Sequence, residues 1–352
     1  MTGLAAQTPQ EFFSAVRERF DDAAAHAGLS ESRFQVGDRV VLLRFAGDGL
    51  RDLLTPALAH LAAPPHAEPD LTVFLFDTAA TGVAPPPPAW ASDAFGQRGE
   101  VEGFNDGRIR TVFQQGSDVL LMYDRERRAA LYWSADHRRI PYWERSFPLR
   151  TVFHWWLEDR PMQPVHAAAV GLPEGGVLIA GLSGSGKSTT ALACLDSELL
   201  FAGDDYVLVR ANPTPFVYSL YGTAKLEPEN LARFPLLHAR PANGDRLDRE
   251  KALLFVNSFA PRKLSRGFPI RGLVVPRVTG RPDTRLGPCK AAEAFLALAP
   301  TTLCHLPGAE GAALAKLGAL VRQVPAYTLE AGTDLAQIPE TILGLLLRPE
   351  NS

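Results

Sequence analysis

The run Gly181-Leu182-Ser183-Gly184-Ser185-Gly186-Lys187-Ser188 fits the phosphate-binding pattern G-x-x-x-x-G-K-[ST] at every fixed position. Such a loop works only between a buried strand and a helix, so it constrains the fold as well as the chemistry. Both flanks agree. Val177-Leu178-Ile179-Ala180 reads as a short buried strand, and Thr189 to Leu195 as the first turns of a helix. The glycines let the backbone curl until several N–H groups face one anion, and the helix N-terminus adds its positive end. In that setting Lys187 reaches the β- and γ-phosphates of a nucleotide and the Ser188 hydroxyl is placed for Mg²⁺. Gly181, Ser183, Gly184, Ser185, Gly186, Lys187, Ser188 and Thr189 are therefore the candidate residues for binding ATP.

A second constellation follows closely. Gly203-Asp204-Asp205 lies between the apolar runs Leu199 to Ala202 and Tyr206 to Val209. Two adjacent carboxylates at a strand end near a triphosphate have a use: one can hold Mg²⁺ and the other can accept the proton of an attacking hydroxyl. Alone, an Asp-Asp pair is a common solvated turn; the phosphate loop just upstream tilts the reading to function.

The remaining chain bounds the setting. Its 352 residues are enough for two domains, and 46% hydrophobic with 21% charged residues is ordinary globular composition. The net charge of −3 gives no general case for nucleic acid or an anionic membrane as partner. No apolar run reaches the length of a membrane span, and the first residues lack a basic-then-apolar leader pattern. Cys194, Cys289 and Cys304 are scattered without metal spacing, and Cys194 reads as a small core residue. These features suit a reducing cytoplasm.

A boundary is expected near residue 150. Before it, residues 11–25 read as a helix with Phe12, Phe13, Val16, Phe20 and Ala24 favouring one side, residues 39–45 and 71–76 as strands, and residues 52–61 as a helix. The proline-rich stretch 83–89 is a loop, and 109–113, 119–123 and 129–133 form an antiparallel meander. This α+β module, residues 1–150, carries no catalytic motif. Residues 147–157 read as a helix whose Trp155 and Trp156 pack at the domain junction rather than stack on a ligand. Residues 151–352 alternate strands and helices as an α/β domain with a mixed sheet, with residues 273–275 a strand and 312–321 and 338–347 closing helices. Lys225, at the end of a glycine-containing segment, can stabilise charge on a γ-phosphate. Lys251, Arg262, Lys263 and Arg266 form a basic cluster, of which one or two members face the triphosphate.

The spacing of loop, helix, strand and Asp-Asp resembles the catalytic domain of the HPr kinase/phosphorylase family, whose fold is related to that of phosphoenolpyruvate carboxykinases. The resemblance spans about residues 163–210: Val165 to Val170, Gly176 to Gly181, the loop, and Ala202-Gly203-Asp204-Asp205, with His166 where that family carries a histidine. It implies a P-loop kinase domain that transfers a phosphoryl group from ATP to a serine or other hydroxyl of a peptide, protein or small molecule. It also implies roles: Lys187 on the phosphates, Ser188 and Asp205 at Mg²⁺, Asp204 as base, His166 as a donor near the phosphates. The family tends to form homo-oligomers. Two departures separate this chain from HPr kinase proper. Thr189 stands where the family has a glutamate, and Ser219 to Leu226 replaces its arginine-glycine motif, so HPr itself is not implied as acceptor. Alternatives are an adenylylsulfate-kinase-like enzyme, whose loop also reads Gly-Leu-Ser-Gly-x-Gly-Lys but whose acceptor motif is not visible here, a P-loop ATPase, and a module in which the nucleotide only switches a partner surface.

Overall fold

The computed structural model describes residues 7–304, 307 and 310–348. The chain forms two compact units. One takes the described residues up to Thr55, then Ala62–Trp156 and Pro307; the other takes Pro56–Leu61, residues 157–304 and residues 310–348.

In the first unit the order is α1 (Pro9–Ala27), β1 (Leu29–Val36), β2 (Arg39–Ala46), α2 (Gly49–Leu54), β3 (Leu71–Asp77), α3 (Thr78–Thr81), β4 (Ile109–Gln114), β5 (Val119–Asp124), β6 (Ala129–Ser134), α4 (Tyr142–Ser146) and α5 (Arg150–Trp156). Helix α1 starts where a capping box dictates: Thr8 Oγ accepts from Glu11 N–H, and the Glu11 carboxylate accepts from Thr8 N–H, with Pro9 at the first turn. Its Phe12, Phe13, Val16 and Phe20 are buried on one side. The sheet order is β1-β2-β3-β6-β5-β4. Strands β4, β5 and β6 are the expected antiparallel meander, and β3 runs parallel to both β2 and β6. Trp155 and Trp156 are buried, as expected of packing residues. The proline-rich residues 83–88 have no regular structure.

The sequence reading of a single helix over residues 52–61 is corrected. Helix α2 stops at Leu54 and the chain tightens into a 3₁₀ segment, Thr55–Leu61, of which Pro56–Leu61 belong to the second unit. Pro56 has no N–H to give the i−4 carbonyl, so the α ladder cannot run through it. There His60 Nε2 lies 2.6 Å from Ser219 Oγ, and Ala57 O accepts from Gly222 N–H.

The second unit contains β7 (Met162–Val165), β8 (Ala168–Leu172), β9 (Gly175–Ile179), α6 (Lys187–Ala193), β10 (Leu200–Gly203), β11 (Val207–Arg210), β12 (Phe216–Ser219), β13 (Thr223–Leu226), β14 (Ala252–Phe255), β15 (Gly267–Val278), β16 (Arg285–Pro288), α7 (Ala291–Leu303), α8 (Glu310–Gln323), β17 (Ala326–Ala331) and α9 (Gln337–Leu346). Its mixed sheet runs β10-β8-β9-β15-β12-β11-β7, with β17 also on β15 and β16 on β17. Strand β15 holds it together. Its first residues pair antiparallel with β12; the later ones lie parallel between β9 and β17.

Alternation along β9 explains why both sheet faces are covered. Val177 and Ile179 join Ala191 and Leu192 of α6 and Ile338 and Ile342 of α9 in one core. Leu178 and Ala180 join Leu298 of α7 and Leu317 and Leu320 of α8 in the other. Each such side chain, fully buried, stabilises the fold by about 1.5–3 kcal/mol before entropy is counted. Helix, sheet and helix thus form three layers, and the phosphate-loop turn emerges at the end of a central strand. Among the described residues no helix is long and apolar enough to cross a membrane.

Candidate functional site

The loop between β9 and α6 adopts the geometry its glycines permit. Gly184 has φ +79° and Gly186, which caps α6, has φ +98°. A Cβ at Gly181 would overlap the Ser185 hydroxyl, and one at Gly186 would come to 3.2 Å from Val278 Cγ2. Lys187 is buried and folds back over the loop, its Nζ donating to Gly181 O at 2.7 Å and Leu182 O at 3.2 Å. Burial lowers its pKa, although Asp204 and Asp205 nearby oppose that shift.

The two aspartates occupy the turn from β10 to β11. Tyr206 N–H donates to Asp204 O, and Asp205 takes a left-handed φ of +62°, costly for most side chains and tolerated best by Asn and Asp. This tight turn sends neighbouring carboxylates into different surroundings. Asp204 is only 1% exposed; its Oδ2 accepts from Lys225 N–H at 3.3 Å, and its Oδ1 has no hydrogen-bond partner. Asp205 faces a cleft, with His166 Nε2 at 3.4 Å from Oδ1 and Lys225 Nζ at 3.1 Å from Oδ2. Burial, then the charge of Asp205, pushes the Asp204 pKa up; the nearby Ser188 hydroxyl, the Lys225 N–H and Lys187 pull the other way. Burial also penalises ionised Asp205, but Lys225 and His166 outweigh it and hold that carboxyl below the usual range. The pair therefore favours one charge, on Asp205.

His166 lies in the turn between β7 and β8. Its N–H donates to Thr302 Oγ, which itself donates to Leu298 O one helical turn back in α7. Helix α7 thereby fixes the histidine from the opposite layer. Lys225 projects from the β13–β14 hairpin, whose register is set by pairs from Thr223↔Phe255 to Leu226↔Ala252.

These elements enclose a cleft of about 490 Å³. Ser183, Gly184, Gly186, Lys187, Ser188, Thr189, His166 and Asp205 all line it. Gly181 and Ser185 do not border the cleft but shape the loop from below, and Asp204 sits behind the wall near Ser188. The proposed basic cluster disperses. Lys251 reaches the cleft and pairs with Glu227 at 2.6 Å, whereas Lys263 lines a separate cavity. Asn230, Arg233, Val278 and Ile338 also line the cleft and carried no sequence signal, because they come from segments far apart that only the fold brings together.

The donors suit a nucleotide with Mg²⁺. The Ser185 and Thr190 hydroxyls and Asp204 Oδ1 are buried without a partner, and the Lys187 ammonium is spent on carbonyls of its own loop. Among the described residues no group of three or more His, Cys, Asp and Glu side chains could hold a metal.

No protein-family model matches the chain, and no curated protein matches it. Among solved structures it is similar to the Hpr(Ser) kinase/phosphatase from Coxiella burnetii, at 14% identity over 52% of this chain and 95% of that chain, with a TM-score of 0.29. A likeness at that score carries no argument about fold or function.

Proposed function

We propose that the chain is a Mg²⁺-dependent phosphotransferase that moves the γ-phosphoryl group of ATP to a serine or other hydroxyl. Residues from 157 onward act as a kinase domain of the HPr kinase-like type and the first unit is accessory. The observation that carries the reading is a single cleft that brings together the phosphate loop and an ionised aspartate flanked by His166 and Lys225.

The loop N–H groups and Lys187 would hold the phosphates, and Ser188 would hold Mg²⁺, with Asp204, buried behind it, acting on the metal through the Ser188 hydroxyl. When bound, the metal neutralises phosphate charge and makes the γ-phosphorus more electrophilic. The roles of the two carboxylates are the reverse of the sequence expectation. Asp204 has the higher pKa, which alone would suit a base, but it is walled off from the cleft beside Ser188. Access decides, because a base must reach the proton it removes. Asp205 lines the cleft and takes the proton of the acceptor hydroxyl, while His166 and Lys225 hold its carboxylate in place. Lys225 also supplies positive charge beside the transferred group.

The test is transfer from ATP labelled in the γ-phosphate, with Mg²⁺, into an extract of the source cells. A phosphate ester should form with wild-type protein and not with Lys187→Ala. No label above that control sinks the reading.

A further inference from the structure

A second cavity, of about 650 Å³, opens in the same unit and shares Arg233 alone with the lining of the phosphate cleft. Its walls are mostly apolar: Leu192 in α6 and Leu195 just past its end, Pro339 and Leu343 of α9, and Phe234 and Phe259. That volume and lining fit a small organic ligand. Charge at the cavity is unevenly used. Lys263 is committed to Ser197 O. Arg233 and Arg240, both from the wall after β13, form no ion pair among the described residues; Arg233 makes only a 3.5 Å bond to Thr333 O. Asp196 and Glu340 line other walls, on the α6 side and on α9. An occupant thus meets an apolar body site with two guanidinium groups on one side.

We propose that this cavity binds an organic monoanion with an apolar body, of the size of a medium-chain carboxylate, and that its occupancy opposes nucleotide binding. Three elements carry the link. Arg233 lines both the cavity and the phosphate cleft. Helix α6 begins at the phosphate loop and runs to Leu192 and Ala193 in the cavity wall. Helix α9 presents Ile338 to the cleft and Pro339 and Leu343 to the cavity. A single guanidinium cannot serve two anions fully, so each anion weakens the other, and by linkage the factor is the same in both directions. This second part rests on the cleft being a nucleotide site; the first part does not.

The experiment titrates the full chain with octanoate, octan-1-ol and octylamine by calorimetry, without nucleotide. Octanoate should bind with one-to-one stoichiometry and at least about tenfold tighter than octylamine, the factor of one well-placed charge-assisted contact. Arg240→Gln, which borders only the second cavity, should erase most of that preference, and Leu343→Trp should block binding by filling the space. Absence of octanoate binding, equal binding of the amine, or an unchanged preference in Arg240→Gln overturns the site. MgATP is then titrated with and without saturating octanoate. A loss of affinity of about fivefold, matched by the reverse titration and abolished in Arg233→Gln, is expected. Unchanged MgATP affinity overturns the link. A chain that binds octanoate but no MgATP under any condition contradicts the kinase reading and the link, and leaves the site standing.

Discussion

Asp205 holds a backbone conformation that most residues avoid, and its carboxylate is clamped between His166 and Lys225. Strain of this kind persists only where the surroundings over-determine it. The flanking glycine and the second aspartate were legible in sequence as a turn. Which acid faces the cleft was not, because it depends on the sign of one φ angle. Gly186 poses the complementary case, since its φ of +98° is open to glycine at no steric cost. Gly186→Ala should lower stability by about 1–2 kcal/mol from backbone strain, with Val278 Cγ2 crowding the new methyl. Urea denaturation measures this, and a stability equal to wild type would mean the loop relaxes to another geometry. At Lys225 the reading as a charge-stabilising group implies that Lys225→Met slows transfer at least about tenfold while MgATP affinity changes far less. A Michaelis constant for ATP that rises as steeply as turnover falls would make Lys225 a nucleotide-binding residue instead.

The 3₁₀ segment Thr55–Leu61 shows how an element can mislead. Its leucines and alanines have helical spacing, but Pro56 breaks the ladder; Thr55 still bonds Arg51 O of α2, while beyond it Ala57 and His60 bond to Gly222 and Ser219. Its titration behaviour follows. Burial, with Arg266 nearby, pushes the His60 pKa down from 6.5 to about 4. The folded state therefore resists protonation that the unfolded chain accepts. This contribution to stability is intact above pH 6.5 and is lost as pH falls towards 4, with a full span on the order of 3 kcal/mol. His60→Gln should flatten that part of the stability–pH curve; an unchanged slope between pH 6.5 and 4 would mean His60 is solvated. Helix α1 was easier to read, because its start is written in local chemistry. Thr8→Ala should cost about 1 kcal/mol, seen as a lower melting temperature. Helix α7 was missed, since Pro300 interrupts its pattern near the end; its Thr302 nonetheless anchors His166.

At the scale of the whole molecule, the strand, loop and helix around Gly181 to Ser188 were legible because a local motif needs only local sequence. The meander of the first unit was legible for the same reason. The order of the second sheet was not: β15 pairs with β12, β9 and β17, and no spacing rule foretells a strand that changes partners midway. The cleft depends on that order, which brings Val278, Ile338 and Lys225 to the phosphate loop. The proposed function rests on the division of labour assigned to the two aspartates. The most direct measurement compares Asp204→Asn and Asp205→Asn, each at saturating MgATP, for γ-phosphoryl transfer to acceptor, with MgATP binding followed in parallel by calorimetry. Asp205→Asn should bind MgATP within about twofold of wild type and lose transfer by at least about 100-fold, the weight of a general base. Asp204→Asn should weaken the Mg²⁺ dependence of ATP binding through the Ser188 hydroxyl. Transfer that survives in Asp205→Asn with MgATP bound would contradict the assignment.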